Sequence, residues 1–385
     1  MTTSPLLHHT DDGRRDAPAL LLGPSLGTSL RLWDALVPGL ARGHRVVRYD
    51  LPGHGGTPAA VLGEPTVAAL AALVLELADS LGIDRFAYAG DSLGGAVGSW
   101  LAVHHPERVA SLVLVCTSAR FGEPGAWHER AARVRAEGLD WLVRTAPARW
   151  FTPGYEGTDA GRALIADHAE ADPAGYAACC DALAGFDLRA DLGRITAPTL
   201  VVAGRQDAAT PPGHARQLAD GIADSTLVEI TGAAHLAPAE QPERVLRAML
   251  DHLGSTAYRD GMTVRRAVLG DAHVDRAVAG TTAFTAPFQD LITRYAWGEI
   301  WTRPGLDRRT RSCVTLTALV ALGHHDELAM HVRAARTNGL TAEEIQEVLL
   351  QTAIYCGVPA ANTAFAIARR VLDELERPED REEEA

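Results

Sequence analysis

The stretch YAGDSLGGAVGSW, residues 88–100, places a serine between two glycines directly after an apolar run. Its pentapeptide GDSLG, residues 90–94, follows the pattern G-x-S-x-G, in which a strand turns sharply into a helix and exposes the serine hydroxyl. The glycines permit the tight turn because they have no side chain to separate strand and helix. The stretch therefore indicates either a nucleophilic Ser92 or a glycine-rich strand–helix turn without chemistry.

The first 255 residues alternate short β-branched runs with longer segments rich in alanine and leucine. Six runs are nearly continuous in apolar residues, which is typical of strands in a parallel sheet that helices cover on both faces. These runs are residues 19–23, 44–50, 85–90, 111–118, 199–204 and 225–231. Helical stretches such as 67–82 and 242–254 separate or follow them. The pattern predicts an α/β domain with a doubly wound, mostly parallel sheet.

Two parts of the chain depart from this alternation. Residues 120–190 show several helical stretches and no strand, which predicts a helical cap over the C-terminal edge of the sheet. After a boundary at about 255–262, only the 3.6-residue helical period remains. We therefore predict an α/β domain over residues 1–255, a small all-α domain over 262–376 and an acidic tail over 377–385.

The composition disfavours several classes of function. The chain has 36 Lys and Arg against 49 Asp and Glu, a formal net charge of −13, which disfavours binding to nucleic acid or to an anionic membrane. No apolar run is long enough to span a membrane, and residues 1–18 lack the apolar core of a secretory signal. The 5 cysteines include no C-x-x-C pair, which favours reduced thiols. We expect a cytoplasmic protein.

Two further polar residues follow later strands of the predicted sheet. Asp207 comes after the run 199–204, and His235 comes after the run 225–231. With Ser92 also at a strand end, His235 is the candidate general base and Asp207 the residue that orients its imidazole. The alternative is that Asp207 caps a helix and that His235 is an ordinary loop histidine.

The order in which serine, aspartate and histidine follow one another is that of the α/β-hydrolase superfamily, which residues 19–253 resemble. Within it, the stretches GPSLGTSLRLWD, RYDLPGHGGTP and GDSLGGAVGSWLAVHHPERV resemble the 3-oxoadipate enol-lactonases. This resemblance implies that a serine nucleophile and water open an enol-lactone ring. The backbone amides of Leu26 and Leu93 are the expected oxyanion hole. Esterases, peroxidases and dehalogenases share parts of these motifs, although a dehalogenase would carry aspartate at position 92.

The predicted cap supplies candidates for shaping the lactone pocket and for binding the remaining carboxylate of the substrate. They are Trp127, Arg133, Trp141, Arg144 and Trp150. For each of them, a role in the core or on the surface is the alternative.

The stretch HHDELAMH, residues 324–331, carries the polar residues of the second domain that are candidates for chemistry. Glu327 and His331 stand four residues apart, on one face of a helix. Together with their neighbours they could bind a metal, although the spacing is not a recognised zinc pattern. Alternatively, the stretch is a solvated helix start with one histidine in the core.

Residues 263–375 resemble the 4-carboxymuconolactone decarboxylases of the AhpD-like helical superfamily. The matching motifs are W-x-R-x-G-L-D-x-x-x-R, E-L-x-x-H, G-L-T-x-x-E-I-x-E and Y-x-G-x-P-A. Redox members of that superfamily use a C-x-x-C pair, which this chain lacks, and Glu327 lies near the equivalent helix position. The resemblance therefore implies decarboxylation and not peroxide chemistry.

The reaction that this resemblance implies requires neither a metal nor a cofactor. Loss of CO2 from the γ-carbon of a butenolide leaves electrons that delocalise onto the lactone carbonyl, so the substrate is its own electron sink. We expect His331 to be the general acid and Glu327 to orient it or to relay protons. The candidates for binding the substrate carboxylates are Arg303, Arg308 and Arg311. A solvated basic face is the alternative for each arginine.

The two resemblances name consecutive reactions, because the product of the decarboxylase is the substrate of the enol-lactonase. They imply a bifunctional enzyme of aromatic (protocatechuate, or β-ketoadipate) catabolism that converts 4-carboxymuconolactone, a small lactone carboxylate, to 3-oxoadipate. The helical domain, with the apolar segment TAFTAPFQDLITRYAWG, is expected to form a homo-oligomer. The alternative is a general carboxylesterase fused to a catalytically silent oligomerisation module.

Overall fold

Seven strands form one sheet in the computed structural model, which describes residues 7–376 apart from the side chains of residues 255–257. The strands are β1 His9–Asp12, β2 Ala19–Gly23, β3 Arg45–Tyr49, β4 Phe86–Asp91, β5 Val109–Val115, β6 Thr199–Gly204 and β7 Ser225–Ile230. Their order across the sheet is β1-β3-β2-β4-β5-β6-β7. β1 pairs antiparallel with β3, and the other neighbours pair in parallel. The predicted doubly wound fold and its six strands are confirmed.

The sheet is buried on both faces, as its apolar strands require. In β2, Leu21 belongs to one core, whereas Leu20 and Leu22 belong to the other, because successive side chains of a strand point to opposite faces. β1 was not predicted, because its sequence HTDD is polar and lies at the sheet edge.

In the described residues, the helices that accompany the sheet come first along the chain, and an all-helical region follows them. None of them is long and apolar enough to cross a membrane. A π-helix covers Thr293–Ile300. In chain order, the α-helices are α1 Val37–Leu40, α2 Val67–Ser80, α3 Leu93–His104, α4 Pro124–Glu137, α5 Asp140–Trp150, α6 Asp159–Glu170, α7 Pro173–Ala184, α8 Pro212–Gly221, α9 Ala237–Glu240, α10 Pro242–Leu269, α11 Asp271–Ala279, α12 Ala286–Ile292, α13 Arg308–Leu322, α14 His325–Thr337, α15 Ala342–Tyr355 and α16 Val358–Glu376.

The chain divides into two compact units between Leu253 and Gly254. The first unit contains the sheet, and its helices α4 to α7 form the segment predicted as a cap over residues 120–190. A single bridge between Arg120 and Asp187 joins the two ends of this segment. The acidic tail predicted at 377–385 lies outside the described residues.

α10 continues through Gly254 and Gly261, although the sequence predicted a helix that ends at residue 254. A glycine inside a helix costs about 1 kcal/mol relative to alanine, which is too little to end a helix that packs well. At Gly261 the absence of a side chain is required, because a Cβ there would overlap the carbonyl oxygen of Thr293 in the π-helix. The division between the units therefore falls inside a helix, near the boundary predicted at about 255–262.

The second unit has two apolar clusters. The larger one lies among α13 to α16 and includes Leu316 and Val332. The smaller one consists of Val268 from α10, Trp297 from the π-helix and Ala334 from α14. These three elements therefore converge at one point of the second unit.

Candidate active sites

Ser92 occupies a strained turn between β4 and α3. Its backbone has φ 54° and ψ −112°, a conformation that costs a residue other than glycine about 1–3 kcal/mol. The Ser92 amide donates to the Val115 carbonyl at 2.9 Å, and the Thr117 hydroxyl donates to the Ser92 carbonyl at 2.6 Å. A Cβ at Gly90 or Gly94 would overlap neighbouring backbone. The glycines of the motif are therefore needed for the close approach of strand and helix that positions the serine.

Asp207 and His235 follow β6 and β7 and form a hydrogen bond with each other. His235 Nδ1 lies 2.9 Å from Asp207 Oδ2, and both side chains are buried. Asp207 also accepts hydrogen bonds from the amides of Ala209 and Thr210, at 2.7 and 2.9 Å, and from the Thr210 hydroxyl at 2.7 Å. Burial raises the pKa of Asp207, but the charge of His235 and the hydrogen bonds outweigh burial and hold this pKa below its usual value. Asp207 is therefore an ionised, fixed partner for the imidazole.

The serine and the histidine line one cavity together with the loop after β2. Leu26 of this loop is part of the cavity wall. The amide of Gly94 donates to the carbonyl of Pro24 at 3.1 Å, which ties the loop to the start of α3. Leu26 and Leu93, the two expected oxyanion-hole donors, therefore belong to segments that flank the serine.

Two arginines of the cap line the same cavity and were not among the sequence-based candidates. Arg130 comes from α4, and Arg149 comes from α5. Burial and then the neighbouring charge of Arg130 lower the pKa of Arg149. The cavity thus combines Ser92 and His235 with two arginines, a composition suited to an ester or lactone that carries a carboxylate.

The five predicted cap residues divide into two groups. Trp127 and Trp150 line the cavity. Arg133, Trp141 and Arg144 are not among the cavity-lining residues, and their role stays a prediction. The guanidinium of Arg133 instead lies 4.0 Å over the ring of Trp141.

The helical phase of α5 explains why Trp141 and Arg144 are not among the lining residues. The cavity-lining residues of α5 recur at i, i+3, i+4, i+7 and i+8, which is the spacing of one helix face. Trp141 and Arg144 fall outside that face. This spacing is visible in the sequence, but the fold decides which face of the helix meets the cavity. The lining residues are Leu142, Thr145, Ala146, Arg149 and Trp150.

In the second unit, Glu327 and His331 lie one turn apart on α14. Glu327 is exposed and His331 is half-buried. Burial and then the charge of His273 lower the pKa of His331 to about 4, and Glu327 acts against this shift. His331 is therefore neutral at neutral pH in the free protein, which argues against the expected role as a protonated general acid. Within the described residues, no group of three His, Cys, Asp or Glu side chains could hold a metal ion.

The three predicted carboxylate-binding arginines lie at or near the surface. Arg303 and Arg308 are exposed, and exposed ion pairs contribute little free energy in water. Arg311 is half-buried, but its Nε donates to the Leu306 carbonyl at 3.1 Å and its Nη2 to the Arg303 carbonyl at 2.7 Å. Arg311 therefore stabilises the loop before α13, which was not expected from the sequence.

Three family models match the chain. Residues 18–155 match the alpha/beta hydrolase fold family, residues 182–259 match the TAP-like protein family, and residues 286–370 match the carboxymuconolactone decarboxylase family. The first two models fall on the sheet domain and its cap, and the third falls on the helical unit.

Individual proteins give the same division. The chain is 39% identical over 239 residues to 3-oxoadipate enol-lactonase 2 of Acinetobacter baylyi, which covers 62% of this chain and 89% of that protein. It is 48% identical over 118 residues to 4-carboxymuconolactone decarboxylase of the same organism, which covers 31% of this chain and 88% of that protein. The crystal structure of the enol-lactonase from Burkholderia xenovorans LB400 matches with 36% identity and a TM-score of 0.62, over 64% of this chain and 96% of that one. The chain is therefore a fusion that belongs to the 3-oxoadipate enol-lactonase family of α/β-hydrolases in its first unit and to the carboxymuconolactone decarboxylase family in its second.

Proposed function

We propose that this chain is a bifunctional enzyme of the protocatechuate, or β-ketoadipate, pathway. Its second unit decarboxylates 4-carboxymuconolactone to 3-oxoadipate enol-lactone, and its first unit hydrolyses that lactone to 3-oxoadipate. The observation that carries the proposal is the fusion of two families whose reactions are consecutive. The proposal retains the cytoplasmic location expected from the sequence.

The proposed hydrolysis uses the serine, the histidine and the aspartate of the first unit. Ser92 Oγ attacks the lactone carbonyl while His235 removes its proton, and Asp207 stabilises the imidazolium. The amides of Leu26 and Leu93 donate to the oxyanion. The C–O bond of the ring then breaks, His235 protonates the leaving enol oxygen, and the enol becomes the ketone of 3-oxoadipate. A water molecule, activated by the same histidine, releases the acid from the serine.

The positive charge of the cavity selects the substrate. Hydrolysis of the enol-lactone requires only the serine, the histidine and the oxyanion donors, so the two cap arginines have no necessary role in the bond-breaking steps. The enol-lactone carries a carboxylate away from its ring carbonyl, and Arg149 with Arg130 is placed to bind it. Charge-assisted hydrogen bonds in a partly buried site contribute about 1.5–3 kcal/mol each.

The decarboxylation is proposed to proceed without a cofactor. The bond between the γ-carbon and the leaving carboxylate breaks, its electron pair delocalises through the ring to the lactone carbonyl oxygen, and the ring α-carbon takes up a proton. Because His331 is neutral, we assign it the role of hydrogen-bond donor to the developing enolate oxygen. Glu327, exposed one turn away, is placed to relay the proton from solvent.

Self-association of the second unit is part of the proposal. All but Leu250 of the large apolar side chains that the described residues leave exposed lie in this unit. Phe284 is 92% exposed, and Ile354 and Tyr355 are each 78% exposed. Apolar surface of this extent indicates a protein interface, and a second copy of the chain is its proposed occupant. A catalytically silent oligomerisation module would expose the same apolar surface. An assay of decarboxylation, and not the oligomeric state, therefore distinguishes the bifunctional enzyme from a carboxylesterase fused to such a module.

Replacing Ser92 with alanine is expected to lower hydrolysis of the enol-lactone by about 10⁴-fold or more, because the nucleophile is lost. CO2 release from 4-carboxymuconolactone should continue at the same rate, so the enol-lactone accumulates and is measured by chromatography. Ser99→Ala is the matched control, because Ser99 lies on α3, the helix that follows Ser92, and its hydroxyl donates to the Gly95 carbonyl at 2.9 Å. Loss of both activities in Ser92→Ala would contradict two independent sites.

Replacing Arg149 with leucine is expected to raise the KM for the enol-lactone by about tenfold to a hundredfold, because one charge-assisted contact with the carboxylate is removed. Hydrolysis of an uncharged aryl ester should change little. Arg144→Leu, on the opposite side of α5, should leave both substrates unaffected. Equal effects of Arg149→Leu on the charged and uncharged substrates would show that Arg149 does not bind the carboxylate.

Replacing His331 with glutamine retains a neutral hydrogen-bond donor, so decarboxylation should stay within about tenfold of the unmodified chain, whereas His331→Ala should lose about a hundredfold or more. Since the pKa of His331 is lowered to about 4, kcat/KM for CO2 release should not titrate with His331 between about pH 5 and pH 8. A titration near the ordinary histidine pKa that disappears in His331→Gln would contradict the neutral role.

A further inference from the structure

Arg265 is a buried arginine of the second unit that lacks an acidic partner. It lies on α10, and only 5% of its surface is exposed. Its Nη1 donates to Gln289 Oε1 at 3.0 Å and to Thr293 Oγ1 at 3.2 Å, while its Nε is buried without an acceptor. Both of its partners are neutral, and no ion pair joins Arg265 to a carboxylate of the described residues.

An unpaired buried charge is costly. Removing an ion from water carries a penalty of several kcal/mol unless an opposite charge offsets it. Burial lowers the pKa of Arg265, but a guanidinium remains protonated at neutral pH, so the group does not escape this cost by losing its proton. The free protein therefore holds a positive charge that an incoming anion would neutralise.

The next residue shows that acids are available nearby. Arg266 pairs with Asp271 at 3.0 Å and with Asp275 at 2.6 Å, on the following helix α11. These two carboxylates therefore neutralise Arg266 and leave its buried neighbour without one. Of the two adjacent arginines, the neutralised Arg266 therefore has a structural role, and Arg265 is the candidate for binding an anion.

Two histidines with lowered pKa values belong to the same part of the second unit as Arg265. His273 on α11 and His331 on α14 are half-buried, and in the part of the chain that the structure describes neither ring forms a hydrogen bond. Burial is the main cause that lowers the pKa of each histidine. The charge of Arg265 lowers the pKa of His273 further, and the charge of His273 lowers the pKa of His331 further. Arg265 is therefore near His273, and His273 is near His331.

The packing of the second unit holds these groups in place. Val268, one turn after Arg265, contacts Trp297 of the π-helix and Ala334, which lies one turn after His331. Thr293 packs closely against α10 at Gly261. Its hydroxyl oxygen therefore lies within hydrogen-bond distance of the Arg265 guanidinium. The π-helix, a rare element that is frequent at functional sites, thus supplies one of the two neutral partners of Arg265.

We propose that Arg265, with His273 beside it, binds the carboxylate that a dicarboxylate lactone retains during decarboxylation, while His331 faces the lactone carbonyl. This assignment rests on the proposed decarboxylase function of the second unit. It replaces Arg303, Arg308 and Arg311, which lie at the surface or bind backbone carbonyls.

The chemistry favours the retained carboxylate over the leaving one. An arginine on the leaving carboxylate would stabilise a charge that disappears in the transition state, and it would therefore slow the reaction. An arginine on the retained carboxylate binds the ground state and the transition state equally. Its loss should therefore appear in KM and much less in kcat.

The test compares Arg265→Met with the control Arg266→Met in the full chain. Arg265→Met should raise the KM for 4-carboxymuconolactone by about tenfold to a hundredfold with little change in kcat. It should also leave the melting temperature equal or higher, because an apolar side chain removes an unpaired buried charge. Arg266→Met should leave KM unchanged, and both variants should hydrolyse the enol-lactone normally. An unchanged KM, or a lowered melting temperature that marks a purely structural arginine, would overturn the proposal.

A binding experiment separates this proposal from the function on which it rests. If the unmodified chain released no CO2, the decarboxylase function would fail. Arg265 would then be tested by calorimetric binding of adipate, a dicarboxylate, to the chain that carries Arg149→Leu in the first unit. Adipate binding that Arg265→Met abolishes and Arg266→Met does not would support the anion site. No binding to the chain with Arg265 intact, or equal binding to both variants, would refute it.

Discussion

The hydrolytic site depends on the parallel pairing of β4, β5, β6 and β7, which brings the carboxyl ends of these strands to one edge of the sheet. The ladder continues past the strands themselves, since Ser92 donates to Val115 and Cys116 donates to the carbonyl of Val202, each through its backbone amide. The loops that carry the nucleophile, the acid and the base therefore start from fixed points. The strained turn at Ser92 is maintained by this framework and by the glycines beside it.

Each unit has, at its proposed binding site, an arginine that forms no ion pair with a carboxylate of the described residues. Two arginines with structural roles pair with acids: Arg45 with Asp11, and Arg266 with Asp271. Arg149 in the first unit and Arg265 in the second have pKa values lowered mainly by burial, and each lies at a proposed binding site for a lactone carboxylate. The shared feature fits two enzymes that handle consecutive intermediates, because the same carboxylate is present before and after decarboxylation.

Strong local signals in the sequence were sufficient for the fold, and they selected a serine and a histidine that line one cavity and an aspartate that is hydrogen-bonded to this histidine. The buried strands are nearly continuous apolar runs, and the serine, the aspartate and the histidine each follow one of them. The same approach missed β1, whose polar sequence pairs only at the sheet edge, and it selected Arg144 where the helical phase of α5 places Arg149 in the cavity. It also could not show that burial and the charge of His273 lower the pKa of His331. The pairing of an edge strand, the helix face that meets a cavity and the pKa of a buried histidine all depend on which groups the fold brings together. A local sequence pattern does not contain that information.

The central claim is that one chain converts 4-carboxymuconolactone to 3-oxoadipate through two sites. The most direct measurement is to incubate the purified chain with 4-carboxymuconolactone and to follow CO2, the enol-lactone and 3-oxoadipate over time. The account predicts that CO2 and 3-oxoadipate form in equal amounts, with the enol-lactone as a transient intermediate. Hydrolysis of simple aryl esters by a chain that releases no CO2 from 4-carboxymuconolactone would contradict it and would indicate a carboxylesterase joined to a silent helical module.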